Sequence, residues 1–331
     1  MRSPKGATIL FGHSRGHYPG REVVSFMVPL LFKRLMHGLV VLWVVATVTF
    51  LLLRVAPGGP FDSERKLPPE VIANLEAKYH LDEPLWQQYL RYLGGVARAD
   101  FGPSYKYLDR GVSEIIAETL PVSVLLGGLA ILFALAASFP MGLLAAYYRD
   151  SAVDRGCMLI ATLGISLPNF LLGAFLIWAI ALQLGWLQVG RWEDWESMIL
   201  PTVTLGAAPM AFLAALLRST VIETLGEDFV RTARAKGLSE WVVVAKHALC
   251  HSLIPVLTVL GPLTAALLTG SFVVEFVFAI PGMGRFFITA VVDRDYPLIM
   301  GVTLTYTTLL VCANLLVDLL YSYVDPRIRV Q

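Results

Sequence analysis

Charge is scarce in this 331-residue chain. Asp, Glu, Lys and Arg supply 15% of its residues, where water-soluble domains carry about a quarter. With 56% hydrophobic residues beside it, that shortage excludes an ordinary soluble globule and leaves a polytopic membrane protein. Cysteine is scarce too. Cys157, Cys250 and Cys312 lie far apart without CxxC or metal-ligand spacing, so they are read as structural thiols with no disulfide framework. Catalytic signatures are missing: there is no GxxxxGK[ST] loop, no HExxH and no GxSxG, which excludes ATP hydrolysis by the P-loop route. His247 and His251 are four apart on one predicted helix. A metal would need further ligands, and none is near in sequence, so the pair is read as a cation-rich interfacial helix end. No catalytic residue, metal site, bound cofactor or nucleic-acid partner is assigned. The N-terminus lacks the apolar core and small-residue cleavage site of a signal peptide. Residues 1–32 are expected to be a cytoplasmic extension, poorly ordered in its first part.

Long apolar runs are what the chain has in abundance. Crossing a bilayer takes about 20 mostly apolar residues, and six stretches qualify: 35–53, 120–148, 157–186, about Met198 to Leu217, about Ser252 to Phe276, and 297–324. Backbone in lipid must satisfy its own hydrogen bonds, so each is a helix, and the fold class is all-α with six transmembrane helices. Pro140, Pro168, Pro201, Pro209 and Pro262 are expected to kink these helices. Small residues four apart, such as Gly261 with Ala265, allow close helix packing.

Lys and Arg placement sets the orientation. With the N-terminus inside, inner segments hold 15 of them and outer segments 11. The short loops favour this arrangement, and the long outer segment weighs little. Six spans then put both termini in the cytoplasm. The expected layout is a first span over 33–54, an extracytoplasmic partly helical segment over 55–117, a transmembrane domain over 118–324 with a cytoplasmic loop at 218–251, and a cytoplasmic tail over 325–331. In the outer segment, LPPEVIANLEAKYHL opens on prolines suited to a helix start. LDEPLWQQYLRYLGGVA follows, with Leu85, Trp86, Tyr89, Leu90 and Leu93 on one face.

Within the spans, ionisable residues are nearly absent. Arg54 and Glu275 fall near outer ends, Asp318 near an inner end and His37 at the start of the first. Ion-driven transporters often keep such groups deep in the bundle, so a transporter of this kind would draw its energy elsewhere. Backbone and hydroxyl oxygens can also bind sodium, which keeps an ion-coupled secondary transporter as an alternative. Asn169, Thr204, Thr264 and Thr269 fit packing as well as a substrate path, which stays unassigned. Glu275 and Arg285, near the outer mouth, fit contact with an outer partner protein or solvated loop charges, and the solvated reading is preferred.

Between two oily segments sits EDFVRTARAKGLSEW, 227–241. Asp228 lies at the positive end of a short helix dipole, and Gly237 suits the left-handed position that stops a helix. Ser239 can cap a second helix, EWVVVAKHALCHSL. The product is a helix–glycine–helix elbow, with Phe229, Val230 and Ala233 as an apolar stripe and Arg231, Arg234 and Lys236 as cations. It could rest on anionic inner-leaflet lipid or seat in a groove of a cytoplasmic protein.

RTARAKG at 231–237, followed by HALCHSLIP at 247–255, resembles the EAA loop of ABC importer membrane subunits. Arg231 and Thr232 stand in place of Glu and the first Ala, while Ala233 and Gly237 match; Cys250 departs from the later proline. RVAPGGPF (54–61), LPPEVIANLEAKYHLDEP (67–84), DFGPSYKY (100–107), TGSFVVEFVFAIPGMGRFF (269–287) and VDPRIR (324–329) extend the likeness to nearly all of the chain after residue 33. Together they resemble the B-type permease subunit of oligopeptide ABC importers. The resemblance implies a type I importer half-channel in a bacterial inner membrane. Its partners would be a second homologous permease, two ATPases carrying ATP and Mg, and a periplasmic peptide-binding protein. Asp228, Phe229, Arg231, Thr232, Ala233, Arg234, Lys236 and Gly237 would form the ATPase-coupling loop. Importers of dipeptides, glutathione or nickel are the related alternatives.

Overall fold

The computed structural model describes residues 19–61, 68–107, 109–190, 192–268 and 272–324. The expectations for residues 1–18, for Thr269 and for the tail 325–331 lie outside that set. The described residues form helices and loops without a strand; the only pairing is one isolated bridge between Pro103 and Gly111.

The helices are α1 (Pro19–Val55), α2 (Pro69–Lys78), α3 (Leu85–Val96), α4 (Val112–Tyr147), α5 (Ala152–Ser166), α6 (Asn169–Leu176), α7 (Trp195–Thr224), α8 (Asp228–Ala235), α9 (Glu240–Val242), α10 (Leu249–Leu268), α11 (Phe272–Val277), α12 (Met283–Asp293) and α13 (Tyr296–Val324). Two π-helical stretches, Ile177–Gln183 and Val243–Ala248, continue α6 and join α9 to α10. Among the described residues, five helices are long and apolar enough to cross a membrane: Phe32–Val55, Val112–Tyr147, Trp195–Thr224, Glu240–Leu268 and Tyr296–Leu316. A sixth crossing requires α5 and α6 together, and they meet at 109°.

Two spans differ from the sequence reading. The third is broken where one helix was expected over 157–186. Pro168 forces its predecessor out of helical geometry: Leu167 is extended at φ −85°, ψ 123°, and Pro168 then starts α6. The fifth begins at Glu240, not near Ser252, because α9, the π-helical stretch and α10 run on as one rod. It is described as far as Leu268, and α11 follows from Phe272, beyond residues 269–271, which lie outside the described set.

The bundle centres on α4 against α7. Small residues let the two backbones meet: a Cβ at Gly206 would lie 2.8 Å from the Ala130 carbonyl oxygen, and one at Gly142 would lie 2.9 Å from that of Ala214. Such contacts replace the hydrophobic drive that lipid cannot supply. Asp154 on α5 grips Arg218 on α7 through two 2.6 Å hydrogen bonds, with Asp154 almost fully buried. The Arg218 hydrogen bonds and a backbone amide from Asp150 compensate this buried charge.

At the other end, α2 and α3 form a small cap. Prolines 68 and 69 start α2 as expected. Of the apolar residues on α3, Tyr89 turns inward and packs on Phe50 at 5.3 Å between ring centroids. Leu85, Trp86 and Leu90 remain exposed, so that face is only partly used. The carboxylate of Asp295, 1% exposed, ties the cap loop to the bundle. It accepts hydrogen bonds from the Ser104 hydroxyl, from the Tyr105 and Lys106 amides, and from Leu298 N–H in the first turn of α13.

Candidate functional site: the glycine-stopped elbow

α7 ends at Thr224 and the chain turns at Gly226. Glu227, in extended backbone, starts α8, and Asp228 sits in its first turn, where the free N–H groups favour an anion. Two turns later Lys236 ends the helix and Gly237 takes φ +77°, its N–H reaching the Arg234 carbonyl at 2.9 Å. That conformation suits glycine because a Cβ would crowd the backbone. Ser239 then starts α9 in extended backbone. It occupies the capping position expected of it, but its side chain makes no capping hydrogen bond; its carbonyl accepts from Val243 N–H at 3.1 Å.

The elbow is braced from inside. Val230 and Ala233, 0% and 6% exposed, pack on Val243 and Leu225. Arg234 and Glu240 form an ion pair across the bend, with Arg234 Nε 3.1 Å from Glu240 Oε2. Donating to the Glu240 carboxylate raises the pKa of Arg234 above its ordinary value. Phe229 lies 4.5 Å from the His251 ring, and Trp241 meets Tyr147 edge-on at 5.4 Å. Above the bend, the Thr224 and Ser252 hydroxyls are 3.1 Å apart, tying α7 to α10.

The residues singled out in the sequence therefore divide into two groups. Ala233 faces its own chain and fills the elbow's core, while Arg234 is exposed and pairs with Glu240. Asp228, Arg231, Thr232, Lys236 and Gly237 are exposed, and Phe229 is partly so. Asp228 and Arg231 pair only loosely at 3.3 Å on the surface. With Leu238 and Trp241, also exposed, they make a mixed cationic and aromatic outer face. The described residues, His247 and His251 included, hold no cluster of three or more His, Cys, Asp or Glu that could hold an ion.

Sequence reasoning missed the role of Glu275. It was read as a solvated loop charge, and the structure overturns this: Glu275 is 0% exposed. Its Oε2 accepts from Gly284 N–H at 2.7 Å, and Arg285 N–H and Ser123 also hydrogen-bond the carboxylate. Ser123 Oγ in turn accepts from Met283 N–H at 2.9 Å. Glu275 thus caps the start of α12 and, through Ser123, fastens it to α4. The packing is close: a Cβ at Gly284 would lie 2.9 Å from both Glu275 Oε2 and Phe272 Cα. Arg285 stays exposed as read. Thr204 is fully buried and bonds the Leu200 carbonyl at 2.7 Å, which makes it a packing residue.

Residues 138–330 match the family model described as "Binding-protein-dependent transport system inner membrane component", and residues 27–127 match the model of its N-terminal part. The chain belongs to this family. It is a multi-pass inner-membrane component of a transport system, and the elbow lies within the span of its main family match. An oligopeptide transport system permease protein, OppB, from Haemophilus influenzae is 45% identical over 305 residues, 92% of this chain and 100% of its own. A dipeptide transport system permease protein, DppB, from Bacillus subtilis is 45% identical over 303 residues, 92% of this chain and 98% of its own. OppB of Escherichia coli is 39% identical over 305 residues, again 92% of this chain and 100% of its own. Among solved structures, the inward-facing MetNI methionine ABC transporter aligns over 66% of this chain and 97% of its own, at 18% identity and a TM-score of 0.49.

Proposed function

We propose that this permease is the B-type subunit of an ATP-driven oligopeptide importer. It forms half of a translocation path with a second homologous permease and receives peptide from a periplasmic binding protein. Two ATPase subunits bind and hydrolyse ATP with Mg; this chain supplies neither catalytic residue nor cofactor site. Lys and Arg placement supports cytoplasmic termini and a cytoplasmic elbow.

The observation that carries the reading is an elbow braced inside its own chain and bare on its outer side, in a member of a binding-protein-dependent transport family. Asp228, Phe229, Arg231, Thr232, Lys236 and Gly237 would meet a cleft on one ATPase, while Ala233 and Arg234 hold the shape that is presented. ATPase closure would push α8, and the brace would pass that push to α7 and α10. A dipeptide substrate is the second reading, favoured by the equal identity to the Bacillus subtilis relative.

The test is reconstitution with the two ATPases, the second permease and the binding protein, with labelled tripeptide and dipeptide offered side by side. Arg231→Glu combined with Lys236→Glu reverses two exposed charges. Peptide uptake is expected to fall at least about tenfold, an effect of roughly 1.4 kcal/mol or more at the contact, while membrane insertion is kept. Undiminished uptake in that variant would sink the coupling assignment.

A further inference from the structure

Under the cap lies a cavity of about 370 Å³, within the size range of small-ligand sites. The end of α1 supplies its most unusual wall residue, Arg54. Nε and Nη2 of Arg54 both donate to Gln88 Oε1, at 3.2 and 2.6 Å. Gln88 is itself fixed by donating to the carbonyls of Leu81 and Glu83, at 3.0 and 2.7 Å. The guanidinium carbon lies 4.8 Å from the Phe50 ring centre and 5.4 Å from that of Tyr296. A neutral amide and two aromatic faces therefore hold this cation in place.

No carboxylate balances it among the described residues. Of the acids nearby, Glu83 pairs through Oε1 with Arg91 at 2.5 Å and with His80 at 3.1 Å, and its Oε2 is buried without a hydrogen-bond partner. Asp100 in the cavity wall accepts from Gly102 N–H at 2.9 Å. Arg54 Nη1 is buried without a hydrogen-bond partner, and so is the Tyr92 hydroxyl in the same wall. A desolvated charge without a counter-charge is costly, and so is an unmet buried donor. An anion with oxygen acceptors in the cavity would supply the counter-charge that Arg54 lacks. Lys78 adds positive charge to the wall, where Arg91 is balanced by Glu83.

We propose that this cavity is an oxyanion-binding site centred on Arg54, taking the carboxylate or phosphate end of a small organic molecule. The guanidinium fork suits either group, and the Tyr79, Tyr92 and Phe101 rings would cover the apolar remainder. The site owes nothing to the elbow. It stands on the wall residues alone, so its test does not depend on transport.

The experiment is calorimetric titration of the purified full-length chain in detergent, at low and high salt. The probes are trialanine, trialanine amide, inorganic phosphate and glycerol 3-phosphate. Saturable binding of trialanine that the amide does not reproduce supports the site and identifies a peptide carboxylate as its ligand. Binding of glycerol 3-phosphate or phosphate in place of trialanine also supports it and identifies a lipid headgroup or free phosphate. In either case Arg54→Gln should weaken binding about tenfold or more. Lys78→Gln, which leaves the Gln88 clasp intact, should weaken it severalfold and serves if Arg54→Gln does not fold. The proposal is overturned if all four probes fail to bind the wild-type chain. It is also overturned if affinity is unchanged in a folded variant of either kind.

Discussion

Ala233→Asp separates a residue that holds the elbow together from one that touches a partner. Ala233 is 6% exposed and packs in a cluster with Val230 and Val243, both 0% exposed. A carboxylate placed there meets apolar side chains. Burying a polar group without a partner costs about 1–3 kcal/mol in protein mutational data, and an ionised one costs more. A local destabilisation of about 3 kcal/mol follows, which corresponds to roughly a 150-fold rise in the open fraction of the elbow. Hydrogen exchange of the amides from 228 to 248 reads this directly. Exchange should quicken by about two orders of magnitude there, while α4 and the upper part of α7 stay protected. Ala233→Ser, with its smaller polar group, should quicken it less. If Ala233→Asp abolishes uptake while exchange across 228–248 stays unchanged, the side chain acts outside its own chain and the packing argument fails.

Three further outcomes follow from the geometry. Asp154→Ala strips Arg218 of its bidentate partner; because Arg218 keeps some exposure, the loss should be about 2–4 kcal/mol, below the full cost for a sealed pair, measured as a lowered midpoint of thermal unfolding in detergent. In a double-mutant cycle on Arg234 and Glu240, the coupling should stay within about 1 kcal/mol, because both side chains are 40% exposed or more and water screens the pair; raised salt should shrink it further. Asp295→Ala removes the acceptor shared by Ser104, Tyr105, Lys106 and Leu298, and limited proteolysis should then cut the loop after Lys106 many times faster, with the Asp154–Arg218 brace undisturbed.

Features that depend on local backbone chemistry were legible before the structure. Gly237 announces a left-handed stop whatever surrounds it, and Pro68 with Pro69 announces the start of α2. Six apolar runs announce the spans by length alone. Features that depend on distant partners were not legible. Arg234 looked like a free cation because its partner, Glu240, lies past the glycine turn, outside any helical spacing. Glu275 looked solvated because nothing beside it in sequence reveals Ser123 or the α12 amides. Pro168 was visible, but the sequence does not say whether a proline bends a helix or breaks it. Here the extended Leu167 decides for a break.

The π-helical stretch Val243–Ala248 has one more consequence. A π-turn winds in a residue that an α-helix would not accommodate. Rewinding it to α geometry would rotate everything beyond it by about 100°, the angle of one residue in a 3.6-residue turn. Ser252 would then swing away from Thr224, and Phe229 would lose the His251 ring. The hydroxyl clasp and the ring contact therefore act as a pawl on α10: they fit one tooth of its rotation, and releasing them is the entry to the next.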